Sequence, residues 1–378
     1  VTNEKNSRAA TEGWFVNRGV PHFIDSYNAS EDVLTRSLPV LVLLFLFSSI
    51  SAIDLDWPAW GNITASVGGL LLLLAAWAGI NRLRGIRPLL RRPDRVGVIE
   101  IGVFLAGPTL LPIIFGWDWK GAFITLVTQA VLLGLVYVVT SYGIIAISWW
   151  VLAQLIRSLG QTLRLFTRAL PLLLIGFMFI FINAEAWQSA GLLDTPLLIA
   201  VGALFALLSG VFLGTQVPRE LRDLNRFSSW DEVQQLCQDA PGTEVGGAAA
   251  PQPPAMTRRE RGNLWLLVFI SQSFRLVAVS ALIGAFFVGL GLLIIQPETV
   301  TLWTTEPPSI LWETTLFGIG IHLSAELLRV SGFLAAFAVV YFSVYTTTDS
   351  ALRDEFYADV IAEVRQNLAV RVRYLAGS

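Results

Sequence analysis

Long apolar runs alternate with short polar breaks along most of this chain. They cover residues 37–53, 62–80, 96–115, 169–187, 197–214 and 264–295, with one more from Ala122 onward and a last one ending at Tyr345. Each is long enough to carry a helix across a hydrocarbon layer of about 30 Å, which takes roughly 17–25 residues. Two runs are longer than a crossing needs. From Ala122 to Ile156 the apolar pattern lasts about 35 residues, or roughly 50 Å of helix. The spacing predicts a span that ends near Trp149 and Trp150 and passes into a helix of another kind over Leu152–Arg168. There Gln154, Arg157, Gln161, Arg164 and Arg168 recur every three or four residues on one face, opposite Leu152, Leu155, Ile156, Leu159, Leu163 and Phe166. A basic amphipathic helix between two spans belongs in the headgroup layer, with Arg157, Arg164 and Arg168 reaching lipid phosphates. The run 264–295 repeats the device: residues 264–274 are expected at the interface, Arg275 at the boundary, and a span beyond.

The predicted fold is therefore all-α: a polytopic transmembrane helix bundle of about eight spans with interfacial amphipathic helices. Residues 1–36 read as a cytoplasmic arm and 37–214 as a six-span membrane domain. The long polar segment 215–263 reads as a cytoplasmic linker, residues 264–345 as a two-span unit, and 346–378 as a cytoplasmic amphipathic helix. Within the linker, Ser229–Gln238 is expected to form a short helix. The stretch 241–262, rich in Pro, Gly and Ala, is expected to be disordered. In the last helix Leu352, Phe356, Val360, Val364 and Leu368 step by four. Its acids come early and Arg371 and Arg373 come late, as the helix dipole favours.

Composition sharpens this picture. Hydrophobic residues make up 54% of the 378 and charged residues 14%, well under the ~25% charged of soluble domains. The mean hydropathy of +0.63 agrees. The net charge of −2 matters less than its sidedness. The loop 81–95 carries six Arg against one Asp. The proposed outer turns (54–61, 116–121, 188–195 and 296–313) hold only Lys120 among basic residues. They also hold seven acids, and Trp57, Trp60, Trp117, Trp119, Trp187, Trp303 and Trp312 lie in or beside them. Positive-inside bias and an aromatic belt thus agree on both termini being cytoplasmic. No signal peptide is expected at the polar N-terminal stretch. One cysteine, Cys237, leaves no intrachain disulfide and no multi-cysteine metal site.

A few charged residues interrupt the apolar runs and are candidates for a polar pathway. His322, Glu326 and Arg329 are spaced to share one helix face. Their depth depends on where the last span begins. Mid-membrane they would form a proton or ion relay; near the helix end they would be a structural pair. Glu100 lies inside the third span, with Arg275 as its expected partner, since an unpaired buried carboxylate is costly. Glu185 with Asn183 would line an outer vestibule or simply reach water. Gly107-Pro108 and Pro112 predict a kink or a break in the third span.

No phosphate-binding loop, nucleophile elbow, zinc-protease motif or Cys-x-x-Cys pair occurs, and nothing calls for a metal or a cofactor. The partners expected are membrane lipids, with other membrane proteins or a second copy through the C-terminal helix as further candidates. Nucleic acid is not expected. The arm GWFVNRGVPHFI running into SEDVLTRSLP, the segment FINAEAWQ and the tail TTTDSALRDEFYADVIAEVRQNLAVR together resemble uncharacterised multi-pass membrane proteins of high-GC Gram-positive bacteria. That resemblance implies a bacterial plasma membrane and no particular activity. Three functional readings follow. The leading one is a non-enzymatic protein of transporter or channel character, the second a scaffold or accessory subunit of an envelope complex, the third a lipid-modifying enzyme.

Overall fold

The computed structural model describes residues 2–24, 38–51, 98–157, 175–221, 224–242, 250–251, 253–316, 318–348 and 350–376, with isolated positions between them. The chain divides into two compact units, Pro21–Ile145 and Val1–Val20 with Ala146–Ser378. It is mainly helical. Among the described residues four helices are long and apolar enough to cross a membrane: Trp119–Ser141, Thr195–Pro218, Arg258–Ile294 and Ala325–Thr346. The expected second span, 62–80, lies almost wholly outside the described residues, and the fifth is described only from residue 175.

The first unit contains α2 (Leu38–Ser51), α3 (Val98–Gly116) and α4 (Trp119–Ser141). Leu41, Phe45 and Phe104 form its buried core, with Leu133 and Val136 packed against them. Helix α3 runs unbroken through Pro108 and Pro112, so of the two expected alternatives, a kink or a break, the break does not occur. Gly107 lets the Phe45 ring approach closely: a Cβ there would stand 2.6 Å from that ring and have to displace it. Asp118 caps α4 by accepting from the Gly121 N–H at 2.9 Å.

Helix α4 ends sooner than its apolar pattern implies. Gly143, at φ +65°, breaks the chain after Ser141, and α5 (Ile144–Arg157) starts beyond it. The predicted end near Trp149–Trp150 is thus corrected by about two turns, because a left-handed glycine ends a helix whatever the hydropathy.

In the second unit α1 (Thr2–Asn17) precedes α5 in the chain. Next come helical residues 175–181, a helical turn Ala184–Ala186 and a π-helical turn Trp187–Gly191. Helix α6 (Thr195–Glu220), the short α7 (Trp230–Leu236) and α8 (Arg258–Ile294) follow. The expected short helix in the linker is α7, capped by Ser229. Helix α8 is continuous over 37 residues, about 55 Å. No break separates residues 264–274 from the rest of this helix, since no glycine turn or proline interrupts residues 264–294. A capping box between Thr257 and Glu260 starts it.

The chain ends with α9 (Pro297–Thr304), an antiparallel hairpin of β1 (Ile310–Leu316) and β2 (Ile319–Ser324), α10 (Ala325–Thr348) and α11 (Ser350–Ala376). The hairpin is an exception to the all-α expectation. Its strands carry β-branched Ile and Thr, and Gly318 turns between them at φ +80°. Helices α6, α8 and α10 pack together. Gly284 lies against Ala335, Gly291 against Leu327, and Phe205 against Phe333 and Phe337. The helix before the linker and the two beyond it therefore share one core.

Candidate functional site

Charged side chains of the second unit gather at two places. The first is a hub around α11, whose inward face is the predicted one: Phe356, Val360, Val364 and Leu368 are buried. The surprise lies further on. Asn367, Leu368, Ala369, Val370, Arg371, Val372, Arg373 and Tyr374 are all buried, which no amphipathic surface helix allows. The end of α11 is enclosed on every side by the chain itself.

Each enclosing element is held by a specific contact. Arg371, 4% exposed, donates to Glu260 of α8 at 2.7 Å, and Glu260 also closes the capping box. Arg371 reaches the Pro254 carbonyl as well, and Arg373 donates to the carbonyls of Ala240 and Pro241 at 2.9 and 2.8 Å. Part of the linker tail expected to be disordered is thereby pinned to α11. Arg365 pairs with Glu232 of α7 and lies over the Phe227 ring. The Ser228 N–H, and then Arg365, hold the Glu232 carboxyl below its ordinary range.

The arm enters the same hub. Phe15 is fully buried with its ring edge-on to Tyr374, 5.7 Å between centroids. Arg8 donates to the Tyr374 hydroxyl, which donates to Glu12 at 2.9 Å. Arg18 pairs with Glu363 and Gln366. Burial pushes the Glu363 carboxyl up, and Arg18 only partly offsets this. Gly19, at φ +72°, lies against Ile147 too closely for any Cβ, and its carbonyl accepts from Asn263 at 2.9 Å. Asn367 is fully buried with neither amide atom paired, and nothing in the structure explains it. Burial also raises the Cys237 thiol, which suits a structural cysteine.

Arg275 belongs to this hub. It donates to Asp359 at 2.9 Å and to the Phe356 carbonyl, and stacks on the Phe356 ring. Its partner is thus Asp359, not the expected Glu100. Glu100 itself starts α3, and its side chain is outside the described residues. Among the arginines expected to reach lipid phosphates, Arg157 and Arg164 are exposed, and Arg168 is outside the described residues.

The second place is a cap at the other end of α10. His322 is on β2, and Glu326 and Arg329 are on α10, so the three do not share a helix face. The strands IGIHLS and ILWETTL straddle the boundary between the expected outer turn, 296–313, and the last apolar run. Glu326 occupies the first turn of α10, where the helix dipole favours an acid. It is buried and accepts from the Ser309 N–H with both oxygens, at 3.1 and 3.2 Å, while the Ala325 N–H donates back to the Ser309 carbonyl. Arg329 donates to the Gly191 carbonyl at 3.1 Å. His322 faces Glu313 across the hairpin, 3.6 Å away. Glu185 is exposed, its backbone N–H bonded to the Asn183 side chain. Trp187, expected in the aromatic belt, is instead wholly buried, with its indole N–H on the Phe181 carbonyl.

The arginines and acids of α11 went unassigned in the sequence because their partners lie more than 80 residues away. Only the Ser229–Glu232 and Thr257–Glu260 capping patterns could have hinted that the linker is built into a fold. Comparison with protein-family models, with curated proteins and with solved structures finds no match.

Proposed function

We propose that this chain is an integral membrane scaffold, or an accessory subunit of a membrane complex, rather than a transporter or an enzyme. It crosses a bacterial plasma membrane about eight times with the hub, and so both termini, in the cytoplasm. Four apolar helices support the membrane part, and the remaining crossings rest on the hydropathy of the chain. The orientation rests on arginine-rich loops on one side and acidic, Trp-rich turns on the other.

One observation carries the choice of function. Arg275, Glu326 and Arg329, the pathway residues within the α8 and α10 helices, are each tied to fixed groups of the same chain. A relay needs groups that exchange partners; these brace a hub and a cap. The hub brings arm, linker and C-terminal helix into one folded body beside three packed apolar helices, the form of a docking platform.

Flux in proteoliposomes tests the choice. Full-length protein is expected to carry protons and monovalent cations no faster than empty liposomes. Flux above that background that falls on Glu326→Gln or Arg275→Gln would restore the transporter reading.

A further inference from the structure

A cavity of about 480 Å³ opens where α6 meets the start of α8, lined by Pro218, Leu221, Met256, Arg261, Leu264 and Trp265. That volume falls within the ~300–1,000 Å³ of small-ligand sites. Three features of its surroundings point to one kind of occupant.

The first is charge. Arg258, Arg259 and Arg261 stand exposed on the first turn of α8. The only acid between Pro251 and Arg275 is Glu260, and it is taken by Arg371 and by the helix cap. Three guanidinium groups are left without a carboxylate among the described residues. They also sit at a helix N-terminus, where cations are disfavoured and a bound anion relieves the conflict. The second is position. Pro218 closes the apolar stretch of α6, which on the membrane reading puts the cavity at the level where a spanning helix leaves hydrocarbon. The third is shape. Trp265 is stacked on Phe269 at 4.8 Å and donates its indole N–H to the Gly214 carbonyl at 3.3 Å. Leu207, Leu208 and Val211 of α6 are exposed, so apolar surface continues from the cavity along that helix.

We propose that this cavity binds one anionic phospholipid of the cytoplasmic leaflet. Its phosphate lies at Arg261 and at Arg258, one helical turn away on the same face, and the start of an acyl chain lies against Leu221, Leu264 and Trp265. A soluble anion would use the arginines but leave the apolar walls in water. A zwitterionic lipid would fill the walls but leave the excess positive charge. The site rests on the membrane reading and is independent of the choice between scaffold and transporter.

The test uses full-length protein in phosphatidylcholine nanodiscs containing a minor share of phosphatidylglycerol, with retained lipid read by native mass spectrometry. Wild type is expected to keep phosphatidylglycerol in excess of its share. Arg258→Ala with Arg261→Ala should lower that retention about fivefold for each arginine removed. Leu221→Trp, which fills the cavity and leaves the arginines, should lower it too, whereas Lys120→Ala should not. Equal retention of the two lipids by wild type, or undiminished phosphatidylglycerol in the double arginine variant, overturns the proposal. The arginines are exposed and have no partner among the described residues, so their removal leaves the fold in place even if Leu221→Trp disturbs packing. Incorporation into the nanodisc is scored separately. Its failure would strike the membrane reading and not the lipid site alone.

Discussion

Arg371 and Glu260 make the clearest case at the scale of single residues. Both are nearly inaccessible to water, so each charge depends on the other. Removing one partner from such a pair costs about 3–5 kcal/mol, because the remaining charge stays buried and uncompensated. Glu260→Gln should therefore lower thermal stability sharply in a detergent melt. Arg365→Ala, which breaks a pair whose arginine is 36% exposed, should cost no more than about 1 kcal/mol. Similar losses for the two would mean that the hub is wetter than its packing implies. Arg371 shows how such residues escape a one-dimensional reading. At the end of an amphipathic helix it looks like a dipole-matching surface cation. Only the arrival of Glu260 and Pro254 from far back in the chain makes it a buried anchor.

At the scale of elements, the junction of α1 with α11 responds to pH in a direction the structure specifies. Burial raises the folded-state Glu363 carboxyl above its unfolded value despite Arg18. The folded chain thus binds this proton more tightly than the unfolded chain. Its contribution to stability is complete below the ordinary carboxylate value of about 4.3 and is lost as pH rises through the folded value. Glu363→Gln, which stays neutral, should melt higher than wild type at neutral pH, with the gap closing toward pH 4. A gap that widens in acid would reverse the assignment. Glu232 behaves oppositely. Its lowered carboxyl supports α7 above the unfolded value and lets go as pH falls through the folded one. Element boundaries were the least legible feature of the sequence. Hydropathy does not register a left-handed glycine such as Gly143, nor distinguish a half-apolar strand from the entrance to a span. So α4 ends early, and the hairpin takes the end of an expected outer turn together with the start of the last apolar run.

For the whole molecule, the enclosure of α11 implies that arm, linker and C-terminal helix open together. Phe15→Ala removes a fully buried ring, at a cost of about 3–5 kcal/mol where the hole does not refill. Hydrogen exchange of the amides over 367–373 should then quicken by roughly 10²- to 10⁴-fold, while those of α6 between Leu204 and Val211 hold their rates. Uniform acceleration would make hub and bundle a single cooperative body. The apolar stretches that become Thr195–Pro218, Arg258–Ile294 and Ala325–Thr346 were readable from the chain alone. Hydropathy adds up over neighbouring residues and needs no knowledge of the fold. The partners of Arg275, Glu326 and Arg371 were not readable, and neither was the burial of Trp187. Each depends on which distant segments are brought to the same place. A charge in an apolar or amphipathic helix signals only that it needs a partner; tertiary packing decided that those partners are Asp359, the Ser309 backbone and Glu260.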